Sequence, residues 1–328
     1  MNSKDIINSS DEAYAVVIGG ANIDIGGRPY KPLVAEDSNP GKIKTSLGGV
    51  GRNIAHALTK LGVKTYLITA IGDDYIGNLI MKRCEEVGMD MTHSLILPDE
   101  TSSMYLFIND ADGDMSVAVS HMEIVKNITP DYIDSKADLI NGAAAVVMDC
   151  NLSQETLLHV INKCKAPVYV DTVSTSHAQK IKGNLKGIDT LKPNKLEASL
   201  LTDMTIETAG DMKAAARELL NQGVRRVFIS AGEGGVVAAD ENACYMVGGF
   251  PTEVISTTGA GDSAAAAVVW ASINNKEEDP GRSLTRAALA ANAAASVAVA
   301  SAMTISPDLS ASRVLELIAS GEPEIKEL

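Results

Sequence analysis

The chain has 328 residues, 45% of them hydrophobic, and a formal net charge of −14 at pH 7. This length and apolar content can bury a substantial core, in one large α/β domain or in two domains. The acidic balance lacks the basic surface of a nucleic-acid binder and argues against anionic membranes, so neither partner is expected.

The first 13 residues are polar and include Asp5 and Glu12, which is not the composition of a signal peptide. We therefore expect a cytoplasmic protein that begins with a polar tail. One stretch, residues 284–303, could suggest a membrane span, but it contains Arg286 and consists mainly of alanine. A buried helix of small residues fits this composition better.

Short apolar runs alternate with helical patterns along most of the chain, which predicts βαβ units. Strands are predicted at residues 14–24, 64–72, 143–150, 166–172, 187–194 and 225–232. Helices are predicted at residues 52–62, 73–88, 153–164, 195–204 and 211–223, and an alanine-rich helix follows residue 259. The expected fold is α/β, with a doubly wound, mostly parallel sheet.

Two segments, residues 28–47 and 101–120, lack helical periodicity, and the second has alternating residues with a turn at NDADGD. We expect both to form a small β-sheet lid over the ligand edge of the main sheet. The large domain would then comprise residues 14–27, 48–100 and 121–328.

The stretch TTGAGDS (257–263) opens the alanine-rich helix. Gly259, Ala260 and Gly261 would leave free backbone N–H groups at a helix N-terminus, which suits a phosphate. Asp262 has two interpretations that the spacing does not separate. It could be an ordinary N-cap, or a general base that takes the proton of an attacking hydroxyl.

Polar residues also follow the first strand, in ANID, and accompany the glycines of GGVGRN. Asp24 has two acceptor oxygens that suit a pair of vicinal hydroxyls, and Asn53 can both donate and accept. Gly48 and Gly49 would let the backbone approach a ligand. The alternatives are an Asx-turn for Asn22 or Asp24 and an N-cap for Asn53.

Two further stretches lie at predicted strand ends. In LKPNKLEAS, Asn194 and Glu197 are three residues apart; they could form a capping box, or Glu197 could hold hydrated Mg²⁺.

In SAGEGG, residues 230–235, Ser230 and Gly232 could contact a nucleotide phosphate, although a simple turn explains them equally well. None of the five histidines pairs with another at ligand spacing, so no structural metal is predicted.

Together, GGVGRNIAHALTKLG (48–62) and STTGAGDSAAAAVV (256–269) resemble the signatures of the ribokinase-like, or PfkB, family of sugar and nucleoside kinases. The resemblance covers residues 14–320. Further stretches, including AEDSNPGKIK (35–44) and MDCNLS (148–153), are similar to a branch of the family that acts on a nucleoside.

The resemblance implies an ATP- and Mg²⁺-dependent kinase in which Asp262 is the catalytic base and residues 259–261 form the anion hole. Three roles follow for the other positions. The implied ribose ligands are Asn22, Asp24, Gly48, Gly49 and Asn53. The implied ATP ligands are Asn194, Ser230, Gly232, Gly235 and Asn292, the last beside the adenine. Glu197 would bind Mg²⁺ through water.

The resemblance also implies that base-reading groups come from lid residues 37–43 and 102–107, and that two lids pair in a homodimer. The chain departs from the family pattern at Ser256, where many relatives have an Asp that helps bind a monovalent cation. A hydroxyl is a poorer cation ligand, so this departure puts activation by potassium in doubt.

Overall fold

The computed structural model describes residues 13–275 and 279–328; apart from Ala13, the predicted polar tail lies outside these residues. Strands and helices alternate along the chain. The strands are β1 (Tyr14–Ile18), β2 (Asn22–Pro29), β3 (Gly41–Gly48), β4 (Lys64–Ile68), β5 (Ala70–Gly72), β6 (Leu95–Leu97), β7 (Met104–Asn109), β8 (Met115–His121), β9 (Ala145–Asp149), β10 (Val168–Asp171), β11 (Thr190–Lys192), β12 (Arg226–Ser230), β13 (Val236–Ala239), β14 (Cys244–Val247) and β15 (Ile325–Glu327).

Each predicted helix is present, residues 130–134, 137–141, 175–178 and 311–320 form helices that were not predicted, and several helices begin at a side-chain cap such as Asp74 or Ser153. They are α1 (Val50–Lys60), α2 (Tyr75–Glu86), α3 (Pro130–Asp134), α4 (Ala137–Asn141), α5 (Gln154–Lys163), α6 (Thr175–Ala178), α7 (Lys195–Thr202), α8 (Ala209–Asn221), α9 (Ala260–Ile273), α10 (Pro280–Val299) and α11 (Ala311–Ser320).

The main sheet has nine strands within the described residues, in the order β15-β14-β13-β12-β11-β10-β9-β1-β4. Six neighbouring strands of this sheet are parallel, in the order β4-β1-β9-β10-β11-β12. The strands β13, β14 and β15 extend the sheet as antiparallel neighbours. The predicted doubly wound, mostly parallel sheet is confirmed. All the carboxyl ends of the parallel strands meet at one edge, where α/β sheets bind ligands.

Helices cover both faces of this sheet, so its central strands are buried on both sides. In β1, Ala15 and Val17 contribute to one apolar core, with residues of α1, α9 and α10. Val16 and Ile18 contribute to the other, with residues of α5, α7 and α8. This alternation is the two-residue period of a strand, and it explains the unbroken apolar sequence.

The alanine-rich segments form α9 and α10, which pack against each other at the first core. Ala266, Ala267, Ala290 and Ala294 are completely buried. Small side chains let the two helix backbones approach closely, and a helix that is apolar on most sides is expected to be buried. Within the described residues, no helix is long and apolar enough to cross a membrane.

The two segments without helical periodicity form a separate sheet in the order β3-β2-β7-β8. Its limits differ from the prediction, because β2 begins at Asn22; residues 22–27 belong to this second sheet, not to the large domain. The predicted hairpin at NDADGD is the β7–β8 connection. The predicted strand 64–72 is broken at Thr69 into β4 and β5, and β5 pairs with β6.

Candidate active site

A buried carboxylate organises the carboxyl edge of the sheet. Asp149, the last residue of β9, accepts hydrogen bonds from the backbone N–H groups of Gly20 (2.9 Å) and Gly51 (2.6 Å). Gly20 follows β1, and Gly51 lies in the first turn of α1. A Cβ on Gly19 would lie 2.6 Å from the Asp149 carboxylate, so the glycines allow this close approach. Burial raises the pKa of Asp149, and the N–H donors oppose that rise.

The residues predicted to hold a ribose lie beside these glycines. Asn22 and Asp24 both belong to β2, and the Asn22 Nδ2 atom donates to Asp24 Oδ1 at 2.7 Å. The Asx-turn alternative is therefore wrong. Gly48 pairs with Asn22 across the two strands, and a Cβ on Gly48 would lie 2.5 Å from the Asp24 carboxylate. Burial raises the pKa of Asp24.

Asn53 and Asp262 are 209 residues apart in sequence and are joined by a hydrogen bond. Asn53 Nδ2 donates to Asp262 Oδ2 at 2.6 Å, and Asn53 Oδ1 accepts from the guanidinium of Arg52. The N-cap of α1 is Gly49, with φ of 92°, so the N-cap alternative for Asn53 is wrong. Its amide instead links the start of α1 to the start of α9.

Asp262 lies in the first turn of α9, whose N-cap is Gly259 with φ of 81° and no side-chain capping bond. The N-cap alternative for Asp262 is therefore wrong as well. Burial and the negative charge of Asp171 raise the pKa of Asp262 to about 7. The hydrogen bond from Asn53 and the cations Lys192 and Arg52 oppose this rise.

A buried ion pair lies next to Asp262. Lys192 Nζ is 3.3 Å from Asp171 Oδ2, and a Cβ on Gly261 would lie 3.8 Å from the same Nζ atom. Burial alone would lower the pKa of Lys192, but the carboxylates of Asp171, Glu197 and Asp262 outweigh it and raise the pKa. Lys192 thus carries its charge at neutral pH, at the N-terminus of α9.

A large cavity lies beside the first turn of α9. Its volume is about 730 Å³, and its lining runs from β12 across the first turn of α9 to α10. Ala260 and Lys192 line this cavity, together with five further residues that were predicted to belong to the site. These five are Ser230, Gly232, Gly235, Gly261 and Asn292. Gly232 is the first residue of a short 3₁₀ turn and Gly235 directly follows it; both have positive φ, so the turn and ligand interpretations of SAGEGG are compatible.

Asn292 is buried in the wall of this cavity. Its Nδ2 atom donates to the carbonyl oxygens of Val247 and Gly248, both at 2.9 Å. An amide nitrogen has two hydrogens, and both are used by these bonds. Its Oδ1 atom is the acceptor that the side chain still offers to a ligand.

Asn194 and Glu197 form a capping box at the start of α7, as one interpretation of LKPNKLEAS predicted. Glu197 also accepts from Thr172 Oγ1 at 2.5 Å, and it is buried. Asn194 does not line the cavity, although it bridges to Ser230 on the neighbouring strand. The described residues contain no group of three or more His, Cys, Asp and Glu that could hold a metal ion.

Ser256 lies in the loop before α9. Its N–H donates to the Val299 carbonyl at 3.1 Å, and its Oγ atom accepts from the Thr258 N–H at 3.3 Å. The hydroxyl at this position serves the local turn.

The sequence reasoning did not single out Lys192, Asp149, Asp171 or Arg52. Lys192, Asp149 and Asp171 are charged residues at the ends of apolar strands, in LKPN, MDC and VDT. A charge at such a position could have identified each of them as a candidate site residue. Arg52 could have been identified by another feature, because a cation in the first turn of a helix is unfavourable next to the helix dipole.

The sequence matches the model of the pfkB family of carbohydrate kinases over residues 12–311. It is 35% identical to the pseudouridine kinase of Escherichia coli K12, over 95% of this chain and 98% of that protein.

Among solved structures, a putative sugar kinase from Clostridium perfringens superposes with a TM-score of 0.86 and 27% identity, covering 97% of this chain and 99% of that one. The Arabidopsis thaliana ribokinase complexed with ribose and ATP superposes with a TM-score of 0.81 at 22% identity, over 94% of this chain and 99% of that one.

Replacing Gly259 by alanine tests the close packing at the start of α9. A Cβ there would lie 1.8 Å from the Thr304 carbonyl oxygen, at a positive φ. We expect Gly259→Ala to lower the free energy of unfolding by about 2–4 kcal/mol, measured by urea denaturation. Gly62→Ala is the matched control, because Gly62 has φ of 85° and no atom within 4 Å. It should cost about 1 kcal/mol, and equal losses would contradict the packing argument.

Proposed function

Since the chain belongs to the pfkB family of carbohydrate kinases, we propose that it phosphorylates pseudouridine at the 5′-hydroxyl, with ATP as donor. The γ-phosphoryl group would pass to the hydroxyl oxygen, giving pseudouridine 5′-phosphate and ADP, and the C–C glycosidic bond would stay intact. The similarity to the pseudouridine kinase of Escherichia coli supports the choice of nucleoside.

The observation that carries this proposal is the position of Asp262. Asp262 accepts a hydrogen bond from Asn53, and its neighbours Ala260 and Gly261 line the 730 Å³ cavity. A nucleotide in the cavity and a ribose at its predicted ligands would meet at this carboxylate. With a pKa of about 7, Asp262 suits a general base that removes the hydroxyl proton as the phosphoryl group arrives.

The first turn of α9 would stabilise the transferring phosphoryl group. Gly259 and Gly261 place their N–H groups at the helix N-terminus, where the Ala260 N–H makes only a long bond of 3.4 Å to the Thr257 carbonyl, and Lys192 adds a positive charge beside Gly261. We propose that Lys192 exchanges its partner Asp171 for a phosphate oxygen when ATP binds. Phosphoryl transfer depends mainly on such positioning and charge stabilisation.

Bound with ATP, Mg²⁺ would neutralise phosphate charge. Glu197 already accepts three hydrogen bonds, from Thr172 Oγ1 and from the backbone and side-chain nitrogens of Asn194. This donor set suits a contact through water and not direct coordination, in keeping with the several waters that Mg²⁺ retains. Asn194 would then orient Glu197 at the phosphate side.

The second sheet would close over the nucleoside and exclude water, which limits wasteful hydrolysis of ATP. Residues 37–43 and 102–107 of this lid would read the base. Ribose alone, or another nucleoside, is the rival acceptor, because the ribose-facing side chains do not distinguish them. A non-catalytic nucleoside sensor is a second rival, but Asp262, Lys192 and the glycines of the anion hole are all present.

A screen of acceptors tests the proposed substrate. ADP formation would be measured with ATP and pseudouridine, uridine, cytidine, inosine, adenosine or ribose. We expect the highest kcat/KM with pseudouridine, because the lid would select the base. A preference for uridine or ribose would overturn the substrate, and nucleoside binding without ADP formation would favour a sensor.

Replacing the proposed base tests the mechanism. We expect Asp262→Asn to reduce kcat by about 10²–10⁴-fold, since the amide cannot accept the hydroxyl proton. The Kd for ATP, measured by calorimetry, should change little. Asp131→Asn, at an exposed position on α3, is the matched control. Turnover of Asp262→Asn close to that of the control would exclude the base assignment.

The face of the lid turned away from Asp24 supports a proposed homodimer. Leu106 pairs with Val119, and Ile43, Val117 and Val119 are more than half exposed. Asp24 pairs with Tyr105, the residue before Leu106. Because successive side chains of a strand point to opposite faces, the Asp24 side chain lies on the face opposite to Leu106. An exposed apolar strip of this kind is typical of a protein interface.

Charge placed on this apolar lid face should separate the subunits. We expect light scattering to show a dimer for the wild type and a monomer for Val117→Lys, because a buried lysine without a partner is costly. Leu196→Lys is the matched control, at an exposed leucine on α7. A wild-type monomer, or a dimeric Val117→Lys variant, would rule out this interface.

A further inference from the structure

Arg52 is a buried cation in an unfavourable place. It is 4% exposed and lies in the first turn of α1, where the helix dipole opposes a positive charge. Burial lowers its pKa. Among the described residues, no carboxylate forms an ion pair with it. A residue that breaks two local rules at once points to a role at the site.

All the bonds that its guanidinium makes go to oxygen atoms of this region. The Nε atom donates to the Gly48 carbonyl at 3.0 Å. The Nη2 atom donates to the Leu47 carbonyl at 2.9 Å and to Asn53 Oδ1. The first two bonds anchor the end of β3, and the third reaches a residue in contact with Asp262.

The chemistry of the two side chains fixes the orientation of the Asn53 amide. A guanidinium has donors and no acceptor, so Asn53 must turn its oxygen toward Arg52. The Asn53 Nδ2 atom then points to Asp262 and donates to Oδ2 at 2.6 Å. A flipped amide would bring its NH₂ group against the guanidinium and its oxygen against the carboxylate.

We propose that Arg52 is a positioning residue that orients Asn53, so that Asn53 holds one oxygen of Asp262 and leaves Oδ1 for the substrate hydroxyl. This inference rests on the proposed function, in which Asp262 is the base. Arg52 itself touches neither substrate in this scheme. It acts through Asn53, and that dependence can be measured.

A double-mutant cycle tests the dependence, with the wild type, Arg52→Met, Asn53→Ala and the double variant. The kcat is measured with ATP and the best acceptor of the screen. We expect each single change to lower kcat about tenfold to a hundredfold, and the double variant to fall no further than the worse single variant. Effects that multiply would overturn the proposal. Arg83→Met, at an exposed site on α2, is the matched control.

A second variant covers the case in which Arg52→Met fails to fold. In Asn53→Asp, the new carboxylate still accepts from Arg52, so the buried cation keeps its partner, but it cannot donate to Asp262. Because two carboxylates would then face each other, kcat is measured at alkaline pH, where both are ionised, and circular dichroism checks that the variant is folded. We expect a loss of kcat at least as large as that of Asn53→Ala. Near-normal kcat for Asn53→Asp would contradict the proposal.

The pH profile of kcat gives a readout that a purely structural role would not move. The charges facing Asp262 are Asp171 from β10, Lys192 from β11 and Arg52 from α1. The base form is lost as pH falls through the pKa of Asp262, near 7 in the wild type. Arg52 and the Asn53 bond both lower that pKa, so Arg52→Met should move the acid limb to higher pH. Asp171→Asn removes the charge that raises it and should move the limb to lower pH.

Two failures can be told apart. If Asp262→Asn keeps its turnover, the proposed base is wrong. If Asp262→Asn is inactive while the cycle is multiplicative or the acid limb of Arg52→Met stays in place, the role of Arg52 alone is wrong. Partial recovery of kcat in Arg52→Lys, which keeps one donor for Asn53, would support the positioning role.

Discussion

The carboxylate of Asp149 is the constraint on which the rest of the site depends. It lies at the end of a central strand and takes up the N–H groups of Gly20 and Gly51, which belong to two different glycine-rich turns. These bonds fix the start of α1 against the end of β1, with the Arg52 N–H bonded to the Gly20 carbonyl as a further tie. Asn53 is thereby held one residue beyond the anchored turn, within reach of α9. A backbone site of this kind needs residues without a Cβ at the points of contact.

Charge is concentrated where the sheet meets α9. Asp171, Lys192, Arg52 and Asp262 all lie within one buried region, and none of them has a full shell of water. Burial alone would lower the pKa of Lys192, but the neighbouring carboxylates raise it and keep the lysine protonated. Burial and Asp171 raise the pKa of Asp262 to about 7 against the opposing effect of Lys192 and Arg52. Val173, two residues after Asp171, has a left-handed backbone with φ of 63°, and its N–H donates to Asp171 Oδ1 at 2.9 Å. Strain of this kind persists only where the surroundings enforce it.

The parts of the structure that could be predicted from the sequence are those set by local pattern. The short apolar run of strands such as β1 and the alanine content of α9 predicted the sheet and its buried helices. Two helix-start patterns that look alike had different outcomes: Asn194 is an N-cap, whereas Asn53 lies one turn inside α1 behind Gly49. The sequence could not separate them, because the tight turn at Gly49 depends on its close approach to Gly20 and Ala21, in the connection between β1 and β2. The pairing of Asn53 with Asp262, 209 residues away, likewise exists only after folding.

The course of β2 has a consequence for turnover. This strand runs without a break from Asn22 to Pro29, paired throughout with residues 41–48, so the side chains proposed to grip the ribose are built into the lid itself. In the β2–β3 part of the lid, a hinge can then lie only before Asn22 or after Gly48, where Gly49 already has a positive φ. Opening the lid would withdraw Asn22 and Asp24 from the sugar in the same movement. The phosphorylated product would lose its contacts with Asn22 and Asp24 as the lid opens the site to solvent. The rate of lid opening and the affinity for product would then be set by one motion.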